Sequence, residues 1–93
     1  MIPNNYRTPL KPFKVGQKRY LYDDRAVDDV CLAHILHILP HPDCEDEKLI
    51  VYRWYGKHKR YWWYGITQLW QQKLWADYCQ NVVLLRKENR KKK

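Results

Sequence analysis

Apolar and polar positions change period several times along this chain, and the changes mark out its elements. Val15-Gly16 leads into residues 18–22, where Tyr20 and Tyr22 alternate with Arg19 and Leu21; this predicts a first strand, ended by the turn-rich acidic segment 23–29. Residues 30–39 read two ways. Leu32, Ile35, Leu36 and Leu39 fall at helical spacing, with Asp28 or Asp29 available to cap. As a strand, the same residues would be apolar on both faces, which demands burial on both sides or strong curvature. The strand is preferred, because a hairpin with one short strand beside it makes a poor sheet.

Residues 40–47 hold two prolines and four acids and read as a loop. Residues 49–55 and 59–66 are strongly β-prone, with Gly56-Lys57-His58 between them as a turn, so a hairpin is expected over residues 48–65. Residues 67–80 switch to helical period: Leu69, Trp70, Leu74 and Tyr78 share one stripe, Gln71, Gln72, Lys73 and Asp77 take the polar side, and Thr67 is placed to cap. The brief apolar run 82–85 suggests a closing strand. Trp54, Trp63, Trp70, Leu74 and the aliphatic residues of 30–39 are the expected core.

A turn centred on Lys57-His58 pairs Tyr55 with Arg60, Trp54 with Tyr61, Arg53 with Trp62, Tyr52 with Trp63 and Val51 with Tyr64. Side chains alternate across a sheet. One face then carries Ile50, Tyr52, Trp54, Tyr61 and Trp63, without charge, and is expected to be buried. The other carries Val51, Arg53, Tyr55, Arg60, Trp62 and Tyr64, a mixture of cations and rings expected to be accessible. A slip of one residue would exchange the two.

Composition adds scale and sign. Ninety-three residues make one domain, and an aromatic share of 15% supplies large side chains for a compact core. The pattern divides the chain into an N-terminal arm (1–13), a compact unit (14–86) and a basic tail (87–93). The net charge of +8 is uneven: residues 1–22 carry five bases and no acid, residues 23–47 sum to −7, and residues 48–64 and 65–93 each add +5. Such a distribution steers an anionic partner toward one part of the surface. No apolar stretch reaches membrane-spanning length, and residues 1–12 lack a signal-peptide core. Three cysteines without paired spacing suit a reducing compartment, so the cytoplasm is expected.

The candidate chemistry is binding. Arg and Lys neutralise phosphates, and aromatic rings give unpaired bases a stacking platform. Arg53, Tyr55, Lys57, Lys59, Arg60, Trp62 and Tyr64 are therefore the expected contact residues for DNA or RNA. The same residue types also make protein-binding hot spots, which gives an alternative: an inhibitor or adaptor docking on a host protein or nucleoprotein complex. Cross-strand Arg–aromatic pairs, moreover, stabilise a sheet with no partner at all. Cys31, His34, His37, His41 and Cys44 invite a zinc reading, but their spacing has no C-x2-C pair, and on a strand Cys31 and His34 point to opposite faces. No glycine-rich phosphate loop or spaced catalytic pair is present, so neither an enzyme nor a cofactor is expected.

The order of these elements resembles a small SH3-like barrel or curved antiparallel sheet of the KOW or Tudor type, with one short C-terminal helix, over residues 14–86. The resemblance implies a β-dominated α+β fold. It departs from the KOW pattern in having an acidic segment after the first strand. A Tudor-like aromatic cage would draw on Tyr20, Tyr22, Tyr55 and Trp62. Small size, aromatic richness and a basic tail are also similar in style to proteins of phages and mobile elements, including inhibitors of host defence.

Overall fold

A computed structural model describes residues 11–57 and 59–91. Its elements are β1 (Lys18–Tyr22), a 3-10 turn (Val27–Asp29), β2 (Val30–Pro40), β3 (Lys48–Gly56), β4 (Tyr61–Gln68), α1 (Leu69–Leu74) and α2 (Ala76–Lys91). The strands form one antiparallel sheet in the order β1-β2-β3-β4. β1 and β4 do not pair, so the sheet stays open instead of closing into a barrel. The result is a β-dominated α+β fold with C-terminal helices.

Residues 30–39 are strand, and a β-bulge explains their double reading. His34 pairs with Arg53 and Ile35 with Tyr52, but His37 pairs with Val51 and Ile38 with Ile50, leaving Leu36 as the extra residue. A bulge shifts the alternation by one. Ile35 and Ile38 therefore share the core face although they are three residues apart, a spacing that mimics a helix.

The hairpin forms in a register two residues away from the expected one. Tyr55 pairs with Trp62, Trp54 with Trp63, Arg53 with Tyr64, Tyr52 with Gly65 and Val51 with Ile66. Gly56 belongs to β3 and faces Tyr61, which moves the loop to residues 57–60. There the amides of Lys59 and Arg60 both donate to the Gly56 carbonyl, at 3.1 and 2.7 Å. Arg60 takes a left-handed backbone (φ 57°) to close the loop and is not a strand residue. Because the shift is even, the two faces keep their membership.

The core lies on one face of the sheet. Leu21, Ile35 and Ile50 are its fully buried centre, surrounded by Cys31, Ala33, Tyr52 and Trp54. Phe13, Ala26, Ile38, Trp63 and Leu69 pack at its edges. Burying each of the three central side chains stabilises the fold by about 1.5–3 kcal/mol. Tyr61 shares this face, yet it is 47% exposed. Its cross-strand neighbour Gly56 has no side chain to cover it, and its ring stacks on Trp63 at 5.0 Å. Gly65 is required by its neighbour: a Cβ there would sit 2.6 Å from the ring carbon and hydroxyl of Tyr52.

The helical region departs most from expectation. Leu69 reaches the core, but Trp70 and Leu74 are 49% and 62% exposed, and Gln72, expected on the polar side, is buried. The Gln72 side-chain amide accepts from the Tyr22 N–H (2.9 Å) and donates to the Tyr22 carbonyl (3.1 Å). It thus acts as a one-residue strand partner for the free edge of β1. Thr67 remains in β4, and the α1 cap position is Gln68, without a side-chain capping bond. The expected strand at 82–85 lies inside α2, where Cys79 is buried and Val82, Val83 and Arg86 are half-buried at helical spacing.

Both ends are more structured than expected where they are described. Arg19 donates to the carbonyls of Lys11 and Pro12, and its guanidinium stacks on Phe13 at 4.1 Å. This ties residues 11–13 to β1; residues 1–10 of the expected arm lie outside the described residues. Residues 87–91 of the expected tail continue α2. No helix among the described residues is long and apolar enough to cross a membrane.

Candidate functional site

The sheet face opposite the core is open. Register places Lys18, Tyr20, Leu32, His34, Arg53, Tyr55, Trp62, Tyr64 and Ile66 on it. None of the four strands contains an acidic residue. The helices leave most of this face uncovered and meet it at the end of β1, where Tyr22, on the same face as Tyr20, stacks on Trp75 at 4.1 Å, Val30 is buried and the Tyr78 hydroxyl donates to the Asp28 carbonyl. Tyr20, Leu32, Tyr55, Trp62, Tyr64 and Ile66 are all exposed.

Trp62 is the centre of the face. The Arg53 guanidinium lies 4.4 Å from its ring centroid, and Tyr55 and His34 meet it edge-on at 5.4 and 5.5 Å. Stacking of this kind holds a guanidinium flat and pre-oriented. No carboxylate among the described residues pairs with Arg53, and its Nε is buried without a hydrogen-bond partner. The positive charge is therefore held by rings and stays available to an outside anion.

Four of the expected contact residues, Arg53, Tyr55, Trp62 and Tyr64, come together on this face. Lys57, Lys59 and Arg60 sit at its end in the hairpin loop. Lys59 turns toward the core side, its Nζ 5.3 Å from the Trp63 ring centroid. Tyr20, Tyr22, Tyr55 and Trp62 do not assemble into a cage, because the Tyr22 ring is already covered by Trp75. Leu32, His34 and Ile66 belong to the face and were missed from sequence. Ile66 continues the alternation of Trp62 and Tyr64 in β4, whereas Leu32 and His34 join the face only through the pairing of β2 with β3, which no local pattern encodes.

Both ends of the sheet carry acids, with Asp24, Asp28 and Asp29 in the β1–β2 connection at the hairpin-tip end. Asp43, Glu45, Asp46 and Glu47 lie in the β2–β3 loop, at the end away from the hairpin tip. At the tip end, Asp23 is buried and receives hydrogen bonds from the Arg25 side chain (3.0 and 2.7 Å) and the Tyr52 hydroxyl (2.7 Å). Burial alone would push its carboxyl up; the Arg25 and Tyr52 hydrogen bonds outweigh that and hold it below the usual range. Cys31 is buried on the core face and His34 lies on the open one; no group of three metal-binding side chains occurs among the described residues.

Compared with known proteins, the chain matches no family model, no curated protein and no solved structure.

Proposed function

We propose that this chain is a small basic module that binds nucleic acid, DNA or RNA, on the open face of its sheet. Unpaired bases stack on Trp62, Tyr55 and Tyr64, and phosphates meet Arg53 and the loop cations Lys57 and Arg60. The observation that carries the reading is the Arg53–Trp62 stack, at 4.4 Å, on a sheet without acids. Binding, not catalysis, is the role, and the cytoplasm the setting. An SH3-like kinship of the KOW or Tudor type remains part of this reading, supported by a bulged antiparallel meander that runs into a helix.

The test is a salt titration of oligonucleotide binding. Each neutralised phosphate contributes about −0.7 to the slope of log K against log salt for a single strand. Several contacts should give a steep line. Trp62→Ala should weaken binding by about tenfold or more, since one base–ring stack contributes roughly 1–3 kcal/mol. Arg53→Ala combined with Arg60→Ala should remove most of the affinity. Salt-insensitive binding, or none to any nucleic acid, defeats the reading.

A second reading draws on Leu32 and Ile66, 43% and 61% exposed on the same face. Aliphatic side chains beside Trp, Tyr and Arg suit an inhibitor or adaptor that docks on a host protein or nucleoprotein complex, in the style of phage and mobile-element proteins. Capture of a partner from host lysate, with the complex surviving nuclease, favours this reading over the first.

A further inference from the structure

Beside the open face, at the hairpin tip, the molecule has a concave cavity of about 590 Å3. Three separate segments build it: the β1–β2 connection, the tip of the β3–β4 hairpin, and the last turns of α2. Tyr20 and Tyr55 stand between the cavity and the open face and belong to both. Trp54 and Trp63, stacked at 5.6 Å, form the floor.

Its lining is cationic, and two of the cations are already paired with acids outside the lining: Arg25 with Asp23 at 2.7 Å and Arg86 with Asp28 at 3.9 Å. Arg25, Lys57, Lys59, Arg86 and Arg90 line it, and no acidic residue does. These cations come from distant parts of the chain and are held differently. Arg86 is fixed in the wall by hydrogen bonds to the carbonyls of Val27 (2.8 Å) and Val30 (3.2 Å). One helical turn on, Arg90 is exposed, as are Lys57 and Lys59 on the facing hairpin. Asp23, the nearest buried acid, is engaged by Arg25, Tyr52 and Trp54. The concavity therefore gathers the exposed cations Lys57, Lys59 and Arg90 on facing segments, where they attract an anion together.

Aromatic walls together with converging cations describe a ligand that has both a π-face and a phosphate. We infer that this cavity takes one phosphate-bearing nucleotide, its base against Tyr55 and Tyr20 and its phosphate between Lys57 on the hairpin and Arg90 on α2. The choice of ligand rests on the nucleic-acid reading of the open face. It extends that reading by making α2 part of the binding site, so that cations near the C-terminus act at a defined place.

The experiment is an NMR titration of the full chain with a nucleoside 5′-monophosphate, the matching nucleoside and inorganic phosphate. The monophosphate should perturb the amides of Tyr55, Lys57 and Arg90, and bind about tenfold or more tightly than either fragment, because only it satisfies rings and cations together. Lys57→Ala with Arg90→Ala should weaken the monophosphate by about tenfold and leave the nucleoside unchanged. Both positions are exposed, and the unperturbed remainder of the spectrum verifies folding. Equal binding of phosphate alone, equal binding of the nucleoside, or no perturbation at these residues overturns the inference.

Tyr64→Ala separates this site from the face, since Tyr64 is exposed on the face and does not line the cavity. That variant should bind the monophosphate normally and oligonucleotides poorly. If oligonucleotides bind but the monophosphate does not, the cavity proposal falls and the face reading stands. If the monophosphate binds and no oligonucleotide does, the face reading falls alone.

Discussion

Asp23 is the most constrained polar residue of the core. Its carboxylate accepts from the Arg25 guanidinium and backbone N–H, the Tyr52 hydroxyl and, more distantly, the Trp54 indole at 3.3 Å. Charge-assisted hydrogen bonds of this kind contribute about 1.5–3 kcal/mol each, less where a partner such as Arg25 is partly exposed. The sign of the pH effect follows from the depressed carboxyl. Its contribution is fully present above the ordinary carboxylate range and is lost as pH falls through the folded value. Wild-type stability should therefore drop on acidification below about pH 4. Asp23→Asn should cost on the order of 2 kcal/mol at neutral pH and flatten that acid limb. Urea unfolding at a series of pH values checks both; an unchanged acid limb in the variant removes Asp23 from this role. Nothing in the local sequence Tyr22-Asp23-Asp24 distinguishes this acid from its solvated neighbours. Only the approach of Tyr52 and Trp54, about thirty residues away, selects it.

Among the elements, β1 shows how an edge is protected. A free strand edge offers unpaired N–H and C=O groups. On β1, Gln72 satisfies both groups of Tyr22, and Arg19 gathers residues 11 and 12 alongside. Gln72→Ala should expose the Tyr22 amide and cost roughly 1–3 kcal/mol, the penalty for leaving buried polar groups unmet. Faster hydrogen exchange at Tyr22, with a lower urea midpoint, is the expected result; unchanged exchange there excludes the edge role. β1, to the residue, and the two hairpin strands were legible in sequence, because alternation and β-branched or aromatic content are local; β2 was legible as a strand only from the need for a larger sheet. The helices were less so. An amphipathic stripe assumes that the apolar side meets the sheet, yet here a glutamine does so because its amide matches a strand edge. Val82 and Val83 look like strand residues for their branching, but α2 uses them on its inner side with Cys79 and Arg86.

For the molecule as a whole, the cysteines report whether the fold stays closed. Burial, and then the nearby Asp23, pushes the Cys31 thiol up to about 12; burial likewise raises Cys79 to about 11. Cys44 is exposed in the β2–β3 loop. Since the thiolate is the reactive form, a mild alkylating agent at neutral pH should label one cysteine in the native protein and three in denaturant. Mass spectrometry counts the labels, and rapid native labelling of Cys31 or Cys79 would show that the core opens. The candidate site follows the same division between local and global. Arg53, Tyr55, Trp62 and Tyr64 could be named from the chain because an even register error keeps each residue on its face. Ile66 follows from the same alternation; Leu32 and His34 do not, because their place beside Trp62 depends on how β2 pairs with β3, and Arg60 closes a loop instead of continuing a strand.

The sequence by itself determined β1 and the β3–β4 hairpin, the opposition of an uncharged face to an aromatic and cationic one, and the basic balance of the chain. Those properties depend on period and composition, which act over a few residues. The tertiary structure decided the bulge at Leu36, the open sheet, the burial of Asp23 and Gln72, and the meeting of Lys57 with Arg90 around one cavity. Each of these depends on groups far apart in sequence satisfying one another's hydrogen bonds or shaping one another's space, and no local pattern encodes that match.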